Sequence, residues 1–242
     1  MGRGPHPSDA ELFSPTAVPH LRRACAELSW LLGRGYAERS ALALVGDRHR
    51  LTKRQRTAIS RSACADSDRA TRIARWRSLD ALAGGALAVD GFNCVITVEA
   101  ALSGGVLLRG RDRALRDLAS VHGSYRRVDV TERAVATLVA QIARHRPALV
   151  IWWLDRPVSN SGRLRAMIEE AAAIHGPTGW DVRLDVDPDK RLREHAGIVA
   201  SSDCYVLDGC TQWVDLAGTA VESLAIEPWC IDLDVELPDA AK

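Results

Sequence analysis

Five apolar runs in this chain lead into an aspartate. Ala86 to Val89 ends at Asp90, Ala148 to Leu154 at Asp155, Val182 to Val186 at Asp187, Ile198 to Ser201 just ahead of Asp203, and Tyr205 to Leu207 at Asp208. Short apolar runs of this kind fit buried strands. Between them lie segments with helical spacing: Asn93 to Leu102, Arg113 to Val121, Thr131 to Arg144, Leu164 to Ile174 and one or two turns from Arg191 to His195. Strands alternating with helices predict an α/β fold, a three-layer domain with a mostly parallel sheet. Val106 to Leu108 adds a candidate strand, and Trp229 to Leu233 a candidate edge strand.

The residues ahead of this pattern read as a small N-terminal helical domain. Leu21, Ala24, Cys25, Leu28, Leu31 and Leu32 form one apolar stripe, with Pro19 at its start and Gly33 at its end. Glu38 to Val45 predicts a second helix. Thr52 and Gln55 have the capping-box spacing and open a third, to about Ala65. Asp68 to Leu79 predicts a fourth. The organisation expected is a flexible lead over 1–18, a basic helical domain over 19–81 and an α/β domain over 86–242, with Gly84-Gly85 in the junction.

Charge divides the same way: net +7 over residues 1–80 and −6 over 81–242. A basic module of this kind suits a polyanion. Its densest run, Gly46 to Arg56, makes Arg48, His49, Arg50, Lys53, Arg54 and Arg56 candidate contacts to a phosphate backbone. A solvated helix face is the equal alternative. Single-stranded nucleic acid or RNA is the expected partner, since nothing marks a recognition helix for duplex DNA.

Several classes are excluded. No apolar run approaches the roughly 20 residues that span a bilayer, so no membrane partner is expected. The opening residues lack an apolar signal core, which sets a cytoplasmic location as the expectation. The six cysteines form no C-x-x-C pair, which argues against structural zinc and for buried thiols. A P-loop, a dinucleotide-binding glycine fingerprint after the first strand and a G-x-S-x-G elbow are all lacking.

Ligands of open parallel sheets bind beyond the carboxyl ends of the strands. Asp90, Asp155, Asp187, Asp203 and Asp208 are therefore candidates to converge there and hold Mg²⁺ or Mn²⁺, which prefer oxygen ligands. The first four are also the candidate catalytic residues of phosphodiester hydrolysis. The competing role of each is a helix cap or turn, strongest for Asp187 beside Pro188 and for Asp208 before Gly209. In Val-Asp-Gly-Phe-Asn, Gly91 allows close backbone approach and Asn93 adds an amide. Arg156 and Ser161, in the polar loop after Asp155, are candidates to steady a phosphate. The same reading touches His122-Gly-Ser-Tyr-Arg-Arg127, for which a surface loop is the simpler role.

Leu87-Ala-Val-Asp-Gly-Phe-Asn93 resembles the opening strand of PIN and NYN nuclease domains, and Ile198-Val-Ala-Ser-Ser-Asp203 resembles their later acidic strand. Asp187-Pro-Asp-Lys-Arg-Leu192 sits where those domains place an aspartate before a helix. This resemblance covers residues 86–210 and implies a metal-dependent ribonuclease or a 5′-nuclease-like fold. It departs at Cys204-Tyr205, where aspartate and phenylalanine are usual. A longer resemblance runs through Leu31-Leu-Gly-Arg-Gly-Tyr36 and Leu44 to Arg56, similar to domain-of-unknown-function family 434. Val89-Asp-Gly-Phe-Asn93, Val121-His-Gly-Ser-Tyr125, Leu154 to Gly162 and Ala200-Ser-Ser-Asp203 resemble the partner domain that follows it in that family.

The leading expectation is a metal-dependent nuclease acting on RNA or single-stranded nucleic acid. The alternatives are a non-catalytic nucleic-acid-binding or regulatory protein, and another phosphate-handling enzyme using the same acidic residues.

Overall fold

The computed structural model describes residues 4–118, 130–175 and 179–234. The front of the chain is helical: α1 (Asp9–Leu12), α2 (Val18–Leu32), α3 (Glu38–Arg48), α4 (Lys53–Ser62) and α5 (Asp66–Arg75). Thr52 and Gln55 form the expected capping box of α4, with Gln55 N donating to Thr52 Oγ1 at 3.3 Å and Thr52 N to Gln55 Oε1 at 3.1 Å. The lead expected to be loose carries α1. Asp9 in it is fully buried and paired with Arg54, and Phe13 is buried beside it. After α5 a short 3₁₀ turn, Leu79–Leu82, leads into the sheet.

The main sheet is built from β1 (Ala86–Asp90), β4 (Leu149–Asp155), β5 (Trp180–Asp185), β6 (Ile198–Ala200) and β7 (Gln212–Val214). Its order is β5-β4-β1-β6-β7 and every pairing is parallel. Counted along the chain within this sheet, the order is 3-2-1-4-5. The direction of winding therefore reverses between β1 and β6. The remaining elements are α6 (Gly91–Leu102), β2 (Leu107–Arg109), β3 (Leu115–Asp117), α7 (Thr131–Arg144), α8 (Ser161–His175), α9 (Pro188–Arg193), α10 (Cys204–Gly209), α11 (Leu216–Glu222) and β8 (Cys230–Asp232).

Alternation along the strands assigns the two faces of the sheet. Leu87, Val89, Trp152, Leu154 and Ala200 pack in one core with residues of α6, α7, α8 and α11. Ala88, Val199 and Trp213 pack on the other face with Leu192 of α9 and Val206 and Leu207 of α10. Helices thus cover both faces, giving the three layers, and strands buried on both sides read as continuous apolar runs. A second, small sheet has the order β3-β2-β8. Its Leu108 and Ile231 share one core with Leu21, Leu28 and Ile59 of the front helices.

Three expectations for local structure change. Tyr205 to Leu207 is helix, because the Asp203 carboxylate caps α10 by accepting from Tyr205 N at 2.8 Å and Val206 N at 3.2 Å. The start of the segment 113–121 is β3, paired antiparallel with β2, and not helix; its later residues lie outside those described. Strands β2 and β8 pair with each other, in parallel, and belong to the small sheet. Of the cysteines, 25, 64, 94 and 210 are buried as expected, whereas Cys204 is half-buried and Cys230 exposed. Among the described residues no helix is long and apolar enough to cross a membrane.

Candidate functional site

A cavity of about 450 Å³ opens where the winding of the main sheet reverses, beyond the ends of β1, β4 and β6. Asp90, Asp155, Asp189 and Asp203 line it, with Asn93, Ser202 and Cys204. The front of the chain supplies another part of the wall, Glu38, Ser60 and Arg61, and β3 supplies Arg116 and Asp117. A crevice at such a reversal is where open α/β sheets bind ligands.

The segments Asp90-Gly-Phe-Asn93 and Ser201-Ser-Asp203 are each other's hydrogen-bond partners. The Ser201 hydroxyl donates to Asp90 Oδ2 at 2.7 Å, and itself accepts from Asp203 N at 3.0 Å. Asn93 Oδ1 accepts from Ser202 N at 2.9 Å and from the Ser202 hydroxyl at 3.0 Å. Asp90 also caps α6, accepting from Asn93 N at 3.4 Å. Gly91 is required by packing: a Cβ there would lie 2.4 Å from Leu154 Cδ2 and 3.1 Å from Trp153 O.

Charge accumulates in this cavity. Burial is the largest cause that pushes the Asp90 carboxyl up to about 8; the Ser201 hydrogen bond opposes it, and the charges of Asp203 and Asp189 add to it. Burial, then Asp203, Asp155 and Asp187, lifts Asp189 to about 6. Burial and Asp187 raise Asp155. Arg116 does not relieve them, because it is committed elsewhere: its guanidinium donates to Ser202 O at 2.8 Å and to both oxygens of Asp112 at 2.7 and 2.6 Å. The Arg61 guanidinium donates to Asp117 O at 2.5 Å. Cys204 Sγ lies 3.3 Å from Arg72 Nη1 and 3.6 Å from Arg116 Nη2.

Three of the five predicted aspartates, 90, 155 and 203, therefore meet in one cavity. Asp187 is exposed and caps α9, accepting from Lys190 N at 3.2 Å, and Asp189 takes the place in the cavity assigned to it. Asp208 does not join them. It sits on α10 and is bound by Arg72 through Nε at 2.7 Å and Nη2 at 3.0 Å. Arg156 donates from Nη2 to Leu184 O at 3.0 Å, and the Ser161 hydroxyl to Arg156 O at 3.5 Å, so both serve the β4–α8 turn. His122 to Arg127 lies outside the described residues.

The basic run is largely paired within the front helices. Arg54 binds Asp9, and Arg56 binds Asp47 at 2.7 Å and Leu51 O at 3.0 Å. Arg48 and His49 both reach Glu27, at 3.3 and 2.9 Å. Arg50 and Lys53 are exposed.

The donors lining the cavity, carboxylates with an amide and hydroxyls, are the hard oxygens that suit Mg²⁺ or Mn²⁺. Among the described residues, no three His, Cys, Asp or Glu side chains are grouped so as to hold a metal ion. The carboxylates share a space without forming a closed ligand set.

Fold and site together define a parallel α/β protein with a carboxylate-lined crevice at its winding reversal and a helical front that completes the crevice wall. Residues 79–219 match the family described as Domain of unknown function (DUF5616), and the chain belongs to that family. Residues 20–75 match Protein of unknown function (DUF434). An uncharacterized protein of Methanocaldococcus jannaschii is 28% identical over 206 residues, covering 84% of this chain and 98% of that protein. No solved structure matches the chain.

Proposed function

We propose that this protein is a metal-dependent phosphodiesterase of the PIN/NYN-like kind, acting on RNA or single-stranded nucleic acid. One observation carries the reading: Asp90, Asp155 and Asp203, beyond three strands, and Asp189, at the start of α9, line one cavity at the sheet's winding reversal. Carboxylates that raise each other's affinity for protons are poised to exchange those protons for a cation.

Asp90, Asp155, Asp189 and Asp203 would hold Mg²⁺ or Mn²⁺, drawing together around it. Such an ion supplies charge neutralisation at a phosphoryl oxygen when bound. Asp90 is held by the Ser201 hydroxyl and by Asn93 N. Asn93 ties the end of β6 to the start of α6, so the Asp90 and Asp203 segments keep a fixed spacing. Arg61, which lines the cavity and donates to Asp117, would contact the phosphate of a bound strand.

The test is cleavage of mixed RNA and DNA substrates with Mn²⁺, comparing wild type with Asp90→Asn and Asp203→Asn. Loss in both variants supports the reading; no cleavage by wild type, or full activity in both variants, overturns it. A second reading, nucleic-acid binding without cleavage, draws support from the open arrangement of the carboxylates and from Asp203 Oδ1 being occupied in capping α10. It predicts binding that falls steeply with salt and needs no divalent ion.

A further inference from the structure

We infer that a groove along the β4–β5 edge of the main sheet binds a single-stranded polynucleotide and leads it to the carboxylate cavity; the second half of this inference rests on the phosphodiesterase reading. The groove is open, about 660 Å³, and is lined by Trp153, Arg165, Asp181, Arg183, Asp185 and Arg191.

Its geometry joins it to the cavity. Trp153 and Arg183 are register partners on adjacent strands, and the Arg183 guanidinium carbon lies 5.4 Å from the centroid of the Trp153 ring. Two residues further on the same face is the next pair, Asp155 with Asp185. That step is about 7 Å along a strand, the scale of one nucleotide. Asp155 already lines the cavity. Helix α9 links the two spaces as well, with Asp189 at the cavity and Arg191 at the groove.

The chemistry fits a strand with unpaired bases. Trp153 is half-buried and the Arg183 guanidinium lies over its ring, so a base would stack on the guanidinium plane or take its place on the indole. The three arginines have side chains 47%, 49% and 50% exposed, paired with Glu169 at 2.7 Å, Asp181 at 2.6 Å and Asp185 at 3.0 Å respectively. Exposed pairs of this type contribute little, so a phosphate can displace the carboxylate from the guanidinium. Three arginines against Glu169, Asp181 and Asp185 leave no net charge, so phosphate must displace carboxylates and stacking must supply much of the affinity. A duplex, whose bases are already stacked, cannot use it. The densest basic run, by contrast, spends most of its charge inside the front helices.

The experiment is fluorescence anisotropy in EDTA at low salt, with fluorescein-labelled 12-nucleotide oligouridylate RNA, the matching oligothymidylate DNA, and a 12-base-pair duplex. At least one single strand is expected to bind more tightly than the duplex, and the RNA and DNA arms identify the sugar preferred. Arg183→Gln and Arg191→Gln, both at exposed positions, should each weaken binding about 3- to 10-fold. Arg144→Gln on α7 should bind as wild type does. Wild-type affinity in both groove variants, or a duplex bound as tightly as the strands, overturns the groove. Arginine-dependent binding without Mn²⁺-dependent cleavage upholds the groove and removes the phosphodiesterase reading. Cleavage that ignores both groove substitutions does the reverse.

Discussion

Ser201 and Asp90 are 111 residues apart in the chain and 2.7 Å apart in the fold, hydroxyl to carboxylate, across the seam where the sheet reverses its winding. The bond favours the charged form of a carboxyl that burial pushes up to about 8 even with the bond in place. Ser201→Ala should therefore raise the Asp90 midpoint by about one pH unit, since a hydrogen bond to a charged group contributes about 1.5–3 kcal/mol before relaxation. Carboxyl-carbon NMR of Asp90 in metal-free protein reads this directly. An unchanged midpoint would show that the hydroxyl gives the carboxylate no net support.

Asp90 also makes stability depend on pH. Its folded value of about 8 lies above the ordinary 3.8, so the folded state keeps a proton that the unfolded state has lost. Stability should fall as pH rises from about 4 to 8. Asp90→Asn removes this contribution and should be the more stable protein at pH 8, by up to several kcal/mol, with the gap closing near pH 4. Asp215, lifted to about 6 chiefly by burial, leaves a smaller slope of the same sign in the variant. Urea midpoints across that range check it; parallel curves for the two proteins would count against it.

Asp112 and Asp208 both bind Arg72, yet should respond differently. Asp112 is 1% exposed and neutralises Arg72 and Arg116 together, which hold its carboxyl down to about 2 against the cost of burial. Asp112→Asn leaves the two buried guanidinium groups without that charge and should cost about 3–5 kcal/mol. Asp208 has a side chain 44% exposed, and Asp208→Asn should cost about 1 kcal/mol or less. Asp208→Asn should also leave Mn²⁺ binding and any cleavage unchanged. Thermal denaturation and Mn²⁺ titration separate the two variants.

Gly91→Ala places a methyl group against Leu154 and the Trp153 carbonyl. Overpacking of this kind costs about 1–3 kcal/mol. Because Gly91 follows Asp90 directly, the strain should also shift the Asp90–Ser201 contact. The expected result is a lower denaturation midpoint together with an altered Asp90 titration. A variant with wild-type stability would mean that Leu154 yields without cost.

Much of this architecture could be read from the residues. Strands buried on both faces announce themselves as runs such as Ala86 to Val89, and the Thr52–Gln55 capping box is a local interaction readable at a spacing of three. Tyr205 to Leu207 misled because a short helix buried on one side looks like a strand; the deciding signal was Asp203 as a cap. Asp189 was hidden behind Asp187, since sequence cannot say which of two acids flanking a proline caps the helix and which faces the cavity. The parts played by Arg61, bound to Asp117, and by Arg116, bound to Ser202 O, depend on contacts across long stretches of chain that no local pattern encodes. The pairing within the basic run was hidden for a related reason: Asp9, Glu27 and Asp47, which neutralise much of it, belong to the same front segment but reach it only through folding.

The two family matches meet near residue 75, yet the hydrophobic interior does not stop there: Leu108 and Ile231 of the small sheet are packed among the side chains of the front helices. Severing the gene at that point would leave each product with a bare greasy flank that the other was meant to cover. Either half alone would need a substitute of matching shape to cover that flank.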